Sequence, residues 1–415
     1  MKFTFLTYGT EGDTRPLVAL AQALAAHGHQ VHLLADRSAG ASAQARGIGF
    51  TPLAGDIRQA LAPHGSLGRV VRQGANLDKI TRAFAAIASG HTVEWMRAAR
   101  EAAEGSDALV FSGLASYAGL AVAEGLDLPC VGAGLWPMTP TGDFPSVFLR
   151  QRRWPRWANR ASHRLFAGLA WSSFRDNINH GRHAVFGQPP VTRMWSGYPV
   201  LYGCSPTLLP EPADWPGEVE VCGAWHAADR AWRPPPALAA FLEQGEPPAY
   251  IGFGSMAGFD TRTLRHAIVE AVGGRRALFY PGWSGIDAAG LPANFHVLDD
   301  TPHDWLFPRT SVIVHHGGAG TSHAAARSGV PSVVVPFAGD QFFWADRLAR
   351  LGIAGVCPAP RKLDSAMLRG LMDRAAGLRD NARVVAARMA VEDGVRAARH
   401  RLLGGVAKHL APAER

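Results

Sequence analysis

The chain has 415 residues, 47% hydrophobic and 18% charged, which suffices for two or three domains of about 150 residues with separate cores and excludes a disordered or fibrous chain. Lys and Arg number 42 against 34 Asp and Glu, for a net charge of +8; a shortage of acids without a basic tail favours an anionic ligand or membrane surface weakly and argues against nucleic acid as a partner. Four scattered cysteines with no Cys-x-x-Cys pair, no secretory leader and no apolar run near the ~20 residues a bilayer needs predict reduced thiols in a cytoplasmic protein, peripheral to a membrane at most.

From the start of the chain, Lys2 to Tyr8 reads as a strand and Gly9 to Arg15 as a turn-rich segment. Pro16 opens a helix in which Leu17, Leu20, Ala21, Leu24 and Ala25 recur at helical spacing until Gly28. Gln30 to Ala35 supplies a second strand. Further strand-like runs at Ile48 to Leu53, Ala108 to Ser112 and Cys130 to Leu135 alternate with helical patterns at Leu77 to Arg100 and Ala115 to Glu124. Such alternation predicts a parallel sheet covered by helices. Arg150 to Arg164 interleaves arginines with Trp154 and Trp157. This stretch suits a membrane-facing or ligand-covering lid, because Trp and Arg favour the headgroup boundary; the plainer expectation is a solvated helix whose tryptophans pack on the sheet.

Trp232-Arg233-Pro234-Pro235-Pro236 is a stiff connector that fits neither a helix interior nor a central strand. The predicted units are therefore residues 1–222, a linker at 223–236, a second domain at 237–390, and a closing segment at 391–415. Beyond the linker, strands are expected at Tyr250 to Phe253, Ala277 to Tyr280, His296 to Leu298, Ser311 to His315 and Ser332 to Pro336. Helices are expected from near Thr263, Gly320, Gln341 and Asp364, and a long helical pattern runs from about Asp380 to Leu410.

The sharpest segment is Val314-His315-His316-Gly317-Gly318-Ala319-Gly320-Thr321, where an apolar strand stops and a glycine-rich turn leads into a helix. Gly317, Gly318 and Gly320 allow close backbone approach, and the amides of Ala319, Gly320 and Thr321 lie at the positive end of the helix dipole. A diphosphate is the natural occupant; the alternative is a tight turn carrying two core histidines. Neither the Lys-Ser/Thr of a P-loop nor a dinucleotide GxGxxG is present. Downstream, Asp340 and Gln341 end the next strand. Neighbouring strand ends converge on one crevice, so these side chains suit vicinal sugar hydroxyls, although Asp340 alone fits a helix cap equally.

The run Thr301-Pro302-His303-Asp304-Trp305-Leu306-Phe307-Pro308, with the glycine turn and Gly339-Asp340-Gln341-Phe342-Phe343-Trp344, resembles the donor-binding signature of the nucleotide-sugar-dependent glycosyltransferases. Within that UDP-glycosyltransferase superfamily the likeness is strongest to the sterol 3-beta-glucosyltransferases. Ile251-Gly252-Phe253-Gly254-Ser255-Met256 and Gly9 to Pro16 are similar to that group and to the glycopeptide glucosyltransferases. The resemblance implies an α/β GT-B fold, with two Rossmann-like domains whose parallel sheets face a central cleft, the first binding acceptor and the second donor, and a final helix returning to the first. It implies that His315 bonds the donor phosphates, that Ser255 contributes from the facing loop, that Asp340 and Gln341 hold the sugar, and that base and ribose lie near Trp283 and the His303 backbone. Many plant relatives carry a ribose-binding Glu at the position of His323, so ribose recognition here must differ.

Plant members usually place His where this chain reads Gly12-Asp13-Thr14-Arg15-Pro16, so Asp13 is the expected general base for an inverting transfer. The alternative is a cap on the helix starting at Pro16, with Asp340 as reserve base. No Asp-x-Asp occurs, and the resemblance implies a metal-free mechanism with no cofactor beyond the UDP-sugar co-substrate. Phe84, Trp136, Met138 and Phe144 are candidates for the wall of a lipophilic acceptor pocket. A hydroxyl-bearing small molecule such as a sterol or polycyclic natural product is the expected acceptor, and glucose the expected sugar. Competing readings are a dTDP-sugar enzyme of antibiotic tailoring, a nucleotide-sugar epimerase on the same fold, and a non-enzymatic lipid carrier.

Overall fold

The computed structural model describes residues 1–61, 77–227, 232–254, 260–358 and 360–410. Its first half runs β1 (Lys2–Tyr8), α1 (Glu11–Ala25), β2 (Gln30–Ala35), α2 (Gly40–Gln44), β3 (Gly49–Pro52), α3 (Ile57–Leu61), α4 (Leu77–Ser89), α5 (Thr92–Ala103), β4 (Ala108–Gly113), α6 (Ser116–Leu126), β5 (Cys130–Gly134), α7 (Arg156–Phe186), β6 (Val200–Tyr202) and β7 (Val219–Val221). The strands form one sheet in the order β3-β2-β1-β4-β5-β6-β7, every pair parallel. Central β1 shows why both faces are covered. Phe3 and Phe5 pack with Leu17, Leu20 and Leu24 of α1, while Leu6 and Tyr8 pack with Trp95, Met96 and Ala99 of α5.

The second half runs α8 (Pro236–Glu243), β8 (Ala249–Gly252), α9 (Thr261–Val272), β9 (Ala277–Tyr280), β10 (Phe295–Val297), α10 (His303–Leu306), β11 (Ile313–His315), α11 (Ala319–Ser328), β12 (Ser332–Val334), α12 (Gln341–Arg350), β13 (Ala354–Val356), α13 (Ser365–Ala375), α14 (Arg379–Met389) and α15 (Gly394–Leu410). Its sheet is again wholly parallel, in the order β10-β9-β8-β11-β12-β13. The chain thus has the predicted α/β architecture. α15 leaves this half and seats Ala398, Leu402 and Val406 in the core with Phe3, Leu17 and Leu20. A second apolar cluster joins the halves directly, with Phe144, Val147, Tyr202 and Leu208 against Val334, Phe343, Trp344 and Leu348.

Several expected boundaries move. The first helix starts at Glu11, not Pro16, because Thr10 is its N-cap and Asp13 completes a capping box; Pro16 sits inside it. The pattern from Leu77 to Arg100 is two helices interrupted at Gly90 and His91, and the closing pattern is α14 and α15, separated at Ala390–Asp393. β6, β7 and β13, three residues each, are strands that the sequence reading did not include.

Candidate active site

Each sheet reverses its winding once, between β1 and β4 in the first and between β8 and β11 in the second. Ligands of open parallel sheets bind beyond the carboxyl ends of the strands at such reversals. The two reversal points face one another. Arg15 at the front of α1 reaches Asp300 at 2.7 Å, and Arg58 lies over the Trp283 ring at 5.3 Å.

On the second sheet, β11 delivers His315 into a wholly buried position, with Nδ1 accepting from the Gly317 amide at 3.1 Å and Nε2 without a partner. Burial, followed by its histidine neighbours His316 and His303, holds the imidazole down to about 3, so it is neutral. The next residue is the one sequence reasoning passed over. His316 is half-buried between two glycine turns: a Cβ at Gly318 would lie 2.5 Å from its Nε2, and one at Gly254 only 2.9 Å from its Cε1. Its Nδ1 is buried without a partner. The doubled histidine followed by glycines was the available signal; alternation along the strand, with Ile313 and His315 on one face, turns the second imidazole away from the first. Gly318 is the N-cap of α11 with no side-chain cap, and no acid stands in the first turn. The amides of Ala319, Gly320 and Thr321 are therefore left without an internal acceptor.

Trp283 joins this crevice through its amide, which donates to the Gly254 carbonyl at 3.0 Å. His303 is half-buried and opens α10, its ring stacked on Phe307 at 4.2 Å; burial, then Arg15, holds it down to about 4. Asp340 precedes α12 and accepts from Trp344 Nε1 at 2.9 Å. Its carboxyl is pushed up to about 7, first by burial and then by Asp13, against the Trp344 hydrogen bond. Gln341 is buried, with Oε1 turned back to accept from the amides of Phe337 and Ala338 at 2.8 and 3.1 Å, so that oxygen holds its own turn. His323 is also committed internally: Nδ1 donates to the Ala319 carbonyl at 2.7 Å and Nε2 accepts from the Ser205 amide of the first half at 3.0 Å. It fastens the halves together. Ser255 and the Phe84 side chain lie outside the described residues.

On the first sheet, the half-buried Asp13 carboxylate accepts from Thr10 N at 2.6 Å and from Thr10 Oγ1 at 3.0 Å, both at Oδ2. Neither bond uses Oδ1. Burial pushes the carboxyl above its ordinary range, outweighing those two hydrogen bonds. Of the acceptor-wall candidates, Met138 is 39% exposed and Trp136 half-buried. Phe144 is removed from the set because it is a core residue between the halves, 5.1 Å from Phe343 with Arg347 over its ring. Its loop is pinned by Tyr202, whose hydroxyl accepts from the Met138 and Thr139 amides, and by Asp214, which accepts from Thr141 and Gly142.

Twin parallel sheets with opposed reversal points, one ending in an uncapped glycine turn, define a two-domain α/β fold of the Rossmann-like kind. Residues 3–110 match the glycosyltransferase family 28 N-terminal domain, and residues 278–398 match the erythromycin biosynthesis protein CIII-like C-terminal domain. An O-mycaminosyltylonolide 6-deoxyallosyltransferase of Streptomyces fradiae is 34% identical over 85% of either chain. A sterol 3-beta-glucosyltransferase of Arabidopsis thaliana is 31% identical over 95% of this chain, which spans only 64% of that relative. The solved glycosyltransferase VinC, in complex with dTDP, superimposes with a TM-score of 0.66 at 20% identity, over 98% of this chain and 100% of that one. The chain belongs to the UDP-glycosyltransferase superfamily and has its GT-B fold.

Proposed function

We propose that the protein transfers a hexose from a nucleoside diphosphate sugar to a hydroxyl of a lipophilic small molecule, with inversion and without a metal. The observation that carries this reading is the contact of the two reversal points, Arg15 of the Asp13 helix on Asp300 at 2.7 Å, with the uncapped α11 terminus on the second sheet. The diphosphate would lie against the Ala319, Gly320 and Thr321 amides with His316 beside it. Asp340 would accept from sugar hydroxyls, and Trp283 and His303 would flank base and ribose. Asp13 Oδ1 would take the acceptor's hydroxyl proton as that oxygen bonds to the anomeric carbon, while the carbon–phosphate oxygen bond breaks and its electron pair leaves with the diphosphate. A carboxyl raised by burial is a better match to an alcohol than a solvated one.

UDP-glucose and a sterol-like acceptor form the first reading, supported by the donor motifs and by the match across 95% of this chain to a sterol glucosyltransferase. A dTDP-deoxyhexose and a macrolactone aglycone form the second, favoured by the Streptomyces fradiae relative, whose length is matched more fully. The relatives' names as transferases disfavour an epimerase. The expectation of a cytoplasmic setting rests on four unpaired cysteines; among the described residues no helix is long and apolar enough to cross a membrane. Presenting UDP-glucose and dTDP-glucose separately, each with a panel of sterols, macrolactones and flavonoids, and detecting products by mass tests the reading. Glycoside formation with either donor supports it; donor consumed without acceptor, giving an isomer, or no donor binding overturns it.

A further inference from the structure

The first half of α7 exposes large apolar side chains on its outward face. Its inner face buries three polar side chains beside Phe166, which stacks on Phe148 at 4.1 Å. Asn159 Nδ2 donates to the Gly142 carbonyl at 2.8 Å, Ser162 Oγ accepts from the Ser146 amide at 2.9 Å, and His163 Nε2 bonds the Phe144 carbonyl at 3.0 Å, all three side chains buried. The residues at the outward spacing are Trp157, Ala161, Arg164, Leu165 and Gly168, one arc of about 100° on the helix. Trp157 is 72% exposed and Leu165 62% exposed, and Trp154, just before the helix, is 39% exposed. The tryptophans expected to pack on the sheet do not.

The charge around this stripe has one sign. Arg156 and Arg160 are neutralised by Asp143 and Asp214, whereas Arg152, Arg153 and Arg164 are exposed, and no ion pair engages them among the described residues. Indole rings beside unpaired guanidinium groups match the boundary of an anionic bilayer, where the rings enter the headgroup layer and the cations meet lipid phosphates. We propose that the outward face of α7, with the segment leading into it, docks the protein on an anionic lipid surface. Arg156 of the same helix grips Asp143, in the loop after the exposed Met138. Lipid binding itself requires no particular chemistry of the site.

Sedimentation of the full chain with vesicles tests this. Vesicles of phosphatidylcholine containing about one third phosphatidylglycerol should bind it at least ~10-fold more tightly than phosphatidylcholine alone. The Trp157→Ser, Leu165→Ser double variant should lose about 10-fold in partition. The Arg152→Gln, Arg153→Gln, Arg164→Gln variant should lose the preference for anionic vesicles and its salt dependence. All are surface changes, so melting temperature and turnover of a water-soluble acceptor should be unchanged. Absence of vesicle binding, equal binding to both compositions, or equal binding by the variants overturns the proposal. So does concentration-dependent self-association that Trp157→Ser abolishes, which would assign the face to a second copy of the chain.

Discussion

The two reversal points have the same topology and opposite electrostatics. After β1 the helix terminus is closed by its own sequence: Thr10 caps it, Asp13 folds back onto the Thr10 amide, and Glu11 adds a second carboxylate. After β11 the terminus opens on Gly318, with no side-chain cap and no acid. A helix N-terminus attracts anions only where its amides are free. On the proposed reading, one crevice keeps a carboxylate for proton transfer while the other receives the diphosphate. The same architecture then serves two roles, and a few residues at each turn make the difference.

The strongest way to break this contrast is to remove the carboxylate. Asp13→Asn should lower kcat by about 10³-fold, within the usual range for a lost general base, while calorimetry should find UDP or dTDP affinity unchanged within about 2-fold, since the proposed nucleotide contacts are on the other sheet. Asn retains an oxygen to accept from Thr10, so the helix start should survive. Undiminished turnover would leave Asp13 as a cap and nothing more.

The paired histidines sharpen the same contrast from the other side. His316→Ala should raise the donor KM about 10-fold, as expected for losing a hydrogen bond to a charged group of ~1.5–3 kcal/mol, with little change in melting temperature. His315→Ala empties a wholly buried position and should act on stability, at about 2–4 kcal/mol, by analogy with other large-to-small core changes. The reverse pattern, with donor KM following His315, would restore the assignment suggested by the resemblance alone.

What was legible in the sequence follows from length and chemistry. Alternating strand and helix patterns gave the sheets because Phe3, Phe5 and Leu17 carry their periods openly, and the glycine turn was legible because glycines between a strand and a helix mark close backbone approach. The short strands β6, β7 and β13 were not, and neither was the inward turn of Gln341 or the interdomain role of His323, since the last two depend on partners far away or folded back in space. Phe144 was misplaced for the same reason. An aromatic in a loop reads identically whether it lines a pocket or fills the seam between two halves.

Asp340 supplies the next, smaller effect. Its folded carboxyl titrates near 7, above the unfolded value near 3.9, so the folded state binds the extra proton between those values. Its contribution to stability is complete below the unfolded pKa and is lost as pH rises through about 7. Wild type should therefore lose melting temperature relative to Asp340→Asn between pH 5 and 8, by a few degrees at the rough exchange of 2–4 °C per kcal/mol. If the ionised form accepts from sugar hydroxyls, donor kcat/KM should rise with pH through the same region in wild type and lose that limb in the variant. A flat difference in melting temperature would place the Asp340 proton elsewhere.

The smallest effect belongs to the mouth of the cleft. At the back, the halves share an apolar core and the His323 bond to Ser205; at the front, Arg15 spans from α1 to Asp300 while also holding Glu11. The Arg15 and Asp300 side chains are 52% and 67% exposed, and exposed pairs contribute about 0–1 kcal/mol. A double-mutant cycle of Arg15→Ala and Asp300→Ala on donor KM should give a coupling under about 1 kcal/mol, vanishing near 0.5 M salt as screening shortens to a few ångström. A larger, salt-resistant coupling would mean that this pair, and not the packed seam behind it, sets how the two unequal crevices are held against each other.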